Sequence, residues 1–467
     1  MIIACVKIQL TLEILVLSPY LMYIAKYDES LFRTVSTTAP QTPDETVRTE
    51  QETTSHNIIE ILPIPQTVWV LGCSMFLLNL SFMMTFSFSG LYLQMLGVGL
   101  VGIGFLEGLS EAASFVMKFT SGLISDALRR RKPIMVIGYF FTLVARPLMA
   151  IATGFNLYFS GKILERLGNG IQGAPRDAIV ADITPASRIG SAYGLKRSLA
   201  TAGSFMGAIC GYLVMCAFND DIRTVFLFAC IPTTIAFFLL IFFIKEPKRY
   251  EHSAVSSEVP LPAEKRRHRV KWSNLRLLGS SFWLLMLINS IFMLSRVGEQ
   301  FIILHAKTNF GLLDRYAPII FMIFNAGWCA TSYPIGVIAD RMNRYWLLAI
   351  GIILLVLADI ILATAGNLSI LSVGVLFWGF QYGITMNIFS SLIAEIIPEN
   401  LRGTGFGCFY IINATAILIA EPLVGGWVSK NFGFHNSFIV SAVIGLVALI
   451  ALILIMGMRS SHRRATI

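Results

Sequence analysis

From Val68 onward the chain alternates between apolar runs of about 20 residues or more and short polar breaks. An α-helix needs roughly that length to cross a hydrocarbon core of about 30 Å. Twelve such runs follow one another, at 68–88, 98–124, 133–153, 156–177, 192–217, 222–244, 279–305, 315–339, 345–364, 367–394, 404–428 and 436–458. A polar, proline-containing stretch at 245–277 separates six from six. The pattern predicts an all-α membrane protein of twelve transmembrane helices in two six-helix bundles, 67–244 and 278–458, followed by a tail at 459–467. Residues 1–66 form an N-terminal extension. Its Ile8–Ala25 run is interrupted by Glu13 and Pro19, which predicts a segment that does not span. The Thr-, Glu- and Pro-rich remainder predicts disorder.

The two bundles echo each other. Ala181-Asp182-Ile183-Thr184-Pro185, with Gly190 and Gly194 beyond it, matches Ala394-Glu395-Ile396-Ile397-Pro398, with Gly403 and Gly407, at an offset of 213 residues. Gly122 to Asp126, with Arg129–Lys132 after it, matches Gly336 to Asp340, with Arg341 and Arg344, at an offset of 214. A constant offset near half the chain marks an internal duplication. Paired halves in a membrane protein place the site between them, so the bundles are expected to be pseudo-symmetric.

Composition narrows the class. With 55% hydrophobic and 13% charged residues, two or three soluble domains are excluded in favour of a polytopic membrane protein. The net charge of +9 does not point to nucleic acid, because the basic residues lie between the apolar runs rather than on one domain face. Arg129–Lys132, Arg176, Arg188, Lys196, Arg197, the 245–277 linker, Arg341, Arg344, Arg402 and the tail fall on one side; Arg223, Lys307, Arg315 and Lys430 fall on the other. The basic side, with both termini and the linker, is therefore expected to be cytoplasmic, and its charge to lie against anionic lipid. The seven cysteines show no ligand spacing, no nucleotide-binding loop or nucleophile elbow appears, and neither a metal, a cofactor nor an enzymatic activity is expected.

Polar residues inside apolar helices face protein or a wet cavity. The most telling are Glu165-Arg166. The arginine sits about 11 residues into its helix, or roughly 16 Å deep at 1.5 Å per residue. Adjacent residues diverge around a helix, so the two are expected to have different partners, with Glu165 facing a central cavity as a proton carrier. Glu107 and Glu111 share one helical face in the second span and join them as coupling candidates. Arg296, Glu299, Gln300, Asn325, Gln381, Asn387 and Asn413 are the candidates for a substrate cavity, of which about half are expected to line it.

These loop and span motifs resemble the major facilitator superfamily over about residues 67–458. The superfamily's loop signature, Gly-x-x-x-Asp-Arg-x-Gly-Arg-Arg, appears here as Gly122, Asp126, then Arg129-Arg130-Arg131, and again as Gly336, Asp340, Arg341, Asn343 and Arg344. Ala127, Arg129 and Asn343 depart from it; Asn343 replaces a glycine and is expected to tolerate the left-handed turn there. A carboxylate beside arginines at a helix end makes a charge-assisted latch, so Asp126, Arg129, Arg130, Asp340, Arg341 and Arg344 are the expected gate. Arg166-Leu167-Gly168-Asn169-Gly170 is similar to the fourth-span Arg-x-x-Gln-Gly signature, which implies a role for Arg166 in proton coupling. The fifth-span export signature is incomplete, with Gly203, Gly207 and Gly211 but Ala208 in place of proline, and leaves direction open. The resemblance implies a monomeric secondary active transporter of a small organic solute in the cell membrane, working by alternating access with protons as coupling ion. The alternative is a non-transporting sensor or scaffold of the same fold.

Overall fold

The computed structural model describes residues 65–128, 130–184, 189–244, 278–339, 342–397 and 401–465. Expectations for residues 1–64, for the 245–277 linker and for Arg129, Asp340 and Arg341 lie outside the described residues, as does the side chain of Asp126. The rest is helical. The first half comprises α1 (Gln66–Met95), α2 (Leu100–Leu128), α3 (Lys132–Ala150), α4 (Phe155–Ile183), α5 (Ile189–Ala217) and α6 (Ile222–Phe243). The second comprises α7 (Gly279–Phe310), α8 (Ala317–Ala339), α9 (Arg344–Thr364), α10 (Leu368–Ile396), α11 (Thr404–Phe432) and α12 (Phe434–Ala465). Among the described residues, eleven stretches are long and apolar enough to cross a membrane. The remaining helix, α4, is interrupted by Lys162, Glu165 and Arg166. Large apolar side chains such as Phe242, Phe243 and Leu454 point outward, as in a protein surrounded by lipid.

Helix ends carry conventional signals. The side chains of Asp221, Asn343 and Asn367 cap α6, α9 and α10, accepting from the backbone N–H of the second or third helical residue. Asn343 thus has a different role from the one its position suggested. Its backbone is extended (φ −63°, ψ 118°), and its Oδ1 accepts from Tyr345 N at 2.9 Å. The charged segment between α4 and α5 also differs. α4 runs on through Pro175 to Ile183 and α5 begins at Ile189, so Arg176, Lys196 and Arg197 belong to helices rather than to a loop. Pro175 removes only one ladder bond, which a packed helix tolerates.

Within the first half α1 packs on α5 and α6, and α4 on α2 and α3; in the second, α10 packs on α8 and α9, and α9 on α12. Gly203 and Gly207 of α5 explain the close approach to α1: a Cβ there would overlap the carbonyl oxygens of Phe76 and Leu80. The partial export signature therefore has a packing role. Across the halves α2 runs along α11, and α5 along α8.

Both α1 and α7 are broken, α1 between Phe86 and Ser89 and α7 between Leu294 and Glu299. Backbone groups freed by a break in a membrane-spanning helix need other partners, and each break finds them in side chains. In an unbroken α1 the Gly90 N–H would donate to the Phe86 carbonyl four residues back. Gln300 of α7 stands between the two instead: its Oε1 accepts from Gly90 N at 2.9 Å and its Nε2 donates to Phe86 O at 2.8 Å. At the α7 break, Ser441 of α12 donates to the Ser295 carbonyl.

Candidate functional site

The α4 residues Lys162, Glu165, Arg166 and Asn169 are spaced to fall on one side of the helix. Packing turns that side toward α1, α2 and α3. Lys162 Nζ lies 3.1 Å from Glu107 Oε1 and donates to Ser89 Oγ at 3.0 Å; Ser89 in turn donates to Glu107 at 2.8 Å and accepts from Tyr158 at 2.9 Å. Glu165 Oε1 lies 2.8 Å from Arg146 Nη2, and Arg146 also donates to Thr85. Arg166 Nη1 is 3.2 Å from Glu111 Oε2, with its guanidinium over the rings of Phe82 and Phe86 at 4.9 and 5.4 Å.

The three pairs differ in depth. The Glu165 and Arg146 side chains are each 1% exposed, and those of Lys162 and Glu107 are 1% and 7%. Glu111 is 36% exposed and opens on a cavity between the halves. This cavity encloses about 220 Å³, and its polar lining includes Asn79, Glu111, Arg166, Arg197, Glu299 and Asn325, with aromatic walls from Phe82, Phe86, Phe321, Phe324, Trp328 and Tyr382. From the second half, Glu299 is 25% exposed and lies 3.8 Å from Arg296, whose guanidinium rests 4.5 Å over Tyr382 and 5.5 Å from the Trp378 ring centre. Each half thus presents one arginine–carboxylate pair to the same space. Buried charges persist only when paired and hydrogen-bonded, and both pairs are further covered by aromatic faces.

Of the residues singled out in the sequence, Glu111, Arg166, Glu299 and Asn325 line the cavity, and Arg296 reaches its edge through Glu299 and Tyr382. Glu107 and Glu165 are enclosed among helices of the first half. Gln300 spans the α1 break; Asn413 accepts from Asn289 at 2.6 Å; Gln381 accepts from Thr385 at 3.3 Å; Asn387 donates to the Gly383 carbonyl at 2.9 Å. Gln300 and Asn413 thus tie helices together, whereas Gln381 and Asn387 bond within α10, Asn387 on an exposed face. At the basic end Arg130 is exposed, Arg131 pairs with Asp182 at 3.1 Å, and Arg344 pairs with Glu395 at 3.0 Å. Arg131 and Arg344 are 213 residues apart, as are Asp182 and Glu395, so the duplication has preserved an ion pair that pins helix ends inside each half.

Sequence reasoning missed Arg146, Lys162, Arg197 and Asp359. For Arg146 and Asp359 the signal was present, since each is a charge well inside an apolar run and the depth argument applied to Arg166 covers them equally. Arg197 was masked by its basic neighbours, which made it read as a loop residue.

Twelve helices in two related halves around a charged and aromatic cavity define a polytopic membrane protein with a solute-sized central site. The Major Facilitator Superfamily model matches residues 71–313 and 300–466. The chain belongs to that superfamily. An uncharacterised MFS-type transporter of Methanocaldococcus jannaschii, MJ1317, is 26% identical over 397 residues, covering 83% of this chain and 95% of the relative. The multi-drug resistance efflux pump PmrA of Streptococcus pneumoniae is 23% identical over 376 residues, 78% of this chain and 89% of the pump. The crystal structure of a D-xylose-proton symporter superposes with a TM-score of 0.62 at 15% identity, covering 82% of this chain and 96% of that one, and shares the fold.

Proposed function

We propose that this protein is a secondary active transporter that moves a small organic solute across the cell membrane by alternating access, driven by a proton gradient. The observation that carries the reading is the facing of Arg166–Glu111 and Arg296–Glu299, one pair from each half, on one cavity between them. A carboxylate that is buried, partly wet and held by an arginine can exchange its proton for a different partner when the halves move; one sealed at 1% exposure cannot reach solvent. Glu111 and Glu299 are therefore the coupling carboxylates, with Arg166 and Arg296 stabilising their ionised forms, while Glu107 and Glu165 hold the frame. The kinship with an efflux pump and the shared fold with a proton symporter support both export and proton coupling.

The gating reading rests on the two ends. Gly90–Gln300, Gln300–Phe86 and Asp220–Arg315 bond across the halves at the end away from the basic loops. That end is shut. The basic end, cytoplasmic by its charge, is where the Asp126 and Asp340 latches would close in turn, with Arg129, Arg130, Arg341 and Arg344 as their partners. The protein works as a monomer in contact with anionic lipid.

In proteoliposomes with an imposed pH gradient, Glu111→Gln and Glu299→Gln should each abolish uphill accumulation and retain downhill exchange, whereas Arg166→Ala should impair both. Glu165→Gln, in contrast, should reduce the amount of folded protein and leave coupling in the surviving fraction. Uphill transport retained in the Glu111→Gln, Glu299→Gln double variant would overturn the coupling assignment.

A further inference from the structure

We infer that the cavity takes an organic anion with a flat apolar body, and that Arg197 binds its charged end. The inference rests on the transport reading and names its substrate class. The cavity and its rim hold two carboxylates, Glu111 and Glu299, against three guanidiniums, Arg166, Arg296 and Arg197. Both carboxylates are already paired. Arg197 is not: among the described residues its guanidinium has no ion pair and no hydrogen-bond acceptor. The Asp177 carboxylate of α4 is taken by Lys196, the residue before Arg197.

What Arg197 does have is an aromatic face. Its guanidinium carbon lies 4.8 Å from the ring centre of Trp328, on the opposite half of the molecule. Stacking fixes the plane of the guanidinium and leaves its edge N–H groups free, the geometry that accepts a carboxylate or similar oxyanion in a two-pronged contact. One and two turns further along α5, Thr201 and Ser204 line the same wall and face Asn79 of α1, adding neutral hydroxyl and amide groups beside the anion. Beyond them the walls are aromatic, from Phe82, Phe86, Phe321 and Phe324. At about 220 Å³ the space is below the range of about 300–1,000 Å³ typical of drug-sized sites, which favours a one- or two-ring acid. A cation would meet carboxylates that arginines already neutralise, and would add to an excess of positive charge. Because Arg197 and Trp328 come from different halves, an anion held between them also engages both.

The test uses the full-length protein, purified and in proteoliposomes, with three matched probes: 2-naphthoate, neutral 2-naphthamide and cationic 2-naphthylmethylamine. Equilibrium dialysis should show saturable naphthoate binding about tenfold or more tighter than naphthamide, the scale of a charge-assisted hydrogen bond, and no saturable amine binding. Arg197→Gln should remove that preference and leave naphthamide binding in place. Arg197→Lys should restore part of it, and Arg197→Glu should invert it toward the amine, a gain that misfolding cannot produce. No saturable naphthoate binding, equal or better binding of the amine to the native protein, or unchanged naphthoate affinity in a monodisperse Arg197→Gln variant would each overturn the assignment. Counterflow separates it from the transport reading: Arg197-dependent naphthoate binding with no counterflow would keep the site and refute transport, whereas counterflow of the amine in preference to naphthoate would refute the site and keep transport.

Discussion

Helices α4 and α10 occupy equivalent places in the two halves, and they are built from opposite materials. At the offset of 213 residues, Glu165 corresponds to Trp378, Arg166 to Gly379 and Lys162 to Val375. α4 is held to its neighbours by three ion pairs. α10 is held by close contact: a Cβ on Gly379 would overlap the carbonyl of Phe324, and the Trp378 ring packs at a tilt against Phe324 of α8. Even the charge on α3 has a counterpart of opposite kind, since Arg146 aligns with Asp359 of α9, which is fully buried with its Oδ2 2.5 Å from Ser441 Oγ. The duplicated backbone has thus kept its geometry while the means of cohesion diverged. Buried ion pairs hold α4 in one half where close apolar contacts hold α10 in the other.

The comparison is broken most directly at Arg146. Arg146→Met leaves Glu165 as an uncompensated buried charge and should cost about 3–5 kcal/mol; adding Glu165→Leu should recover most of the loss. Both are read from denaturant or thermal unfolding in detergent. If the single variant is as stable as the native protein, the first half is not held by its ion pairs. A smaller effect is expected on the other side. Gly379→Val forces a branched side chain into the α8–α10 contact and should cost about 1–3 kcal/mol through overpacking, with no dependence on salt. The smallest effect is expected at Asp359→Asn, which preserves shape and a hydrogen-bonding group beside Ser441 and removes no cationic partner; a shift under about 1 kcal/mol would fit a hydrogen bond between near-isosteric neutral groups. A loss as large as that of Arg146→Met would mean that Asp359 is ionised and has a role comparable to Glu165.

Much of the fold was written in the sequence in a form that elementary rules can decode. Apolar length marked the helices, and the repeated Asp182/Glu395 and Arg131/Arg344 positions marked the duplication before any pairing was visible. The site was less legible, for a physical reason. Depth along a helix follows from residue number, but direction around the bundle depends on which neighbours arrive. Glu165 and Arg166 are adjacent and equally deep, yet one is enclosed by Arg146 and the other opens on the cavity with Glu111. The periodicity of α4 cannot rank those two faces, because both are polar. The helix breaks were equally hidden: neither Ser87-Phe88 nor the Ser295–Gly298 segment contains a proline, and what sustains them is a side chain from another helix.

The glutamine across the α1 break sets a chemical requirement of its own. Position 300 must offer a donor and an acceptor about as far apart as the two ends of one missing peptide hydrogen bond, which an amide on a two-carbon stem does. A shorter asparagine would not reach both, and a lysine could only donate. A glutamate could do both only while protonated. Gln300→Glu should therefore make the bridge across the α1 break acid-dependent, complete at low pH and loosened as the carboxyl ionises. The check is the reactivity of a cysteine introduced at Ser87, followed across pH in the two backgrounds: protection should be constant with Gln300 and should fade with rising pH with glutamate in its place.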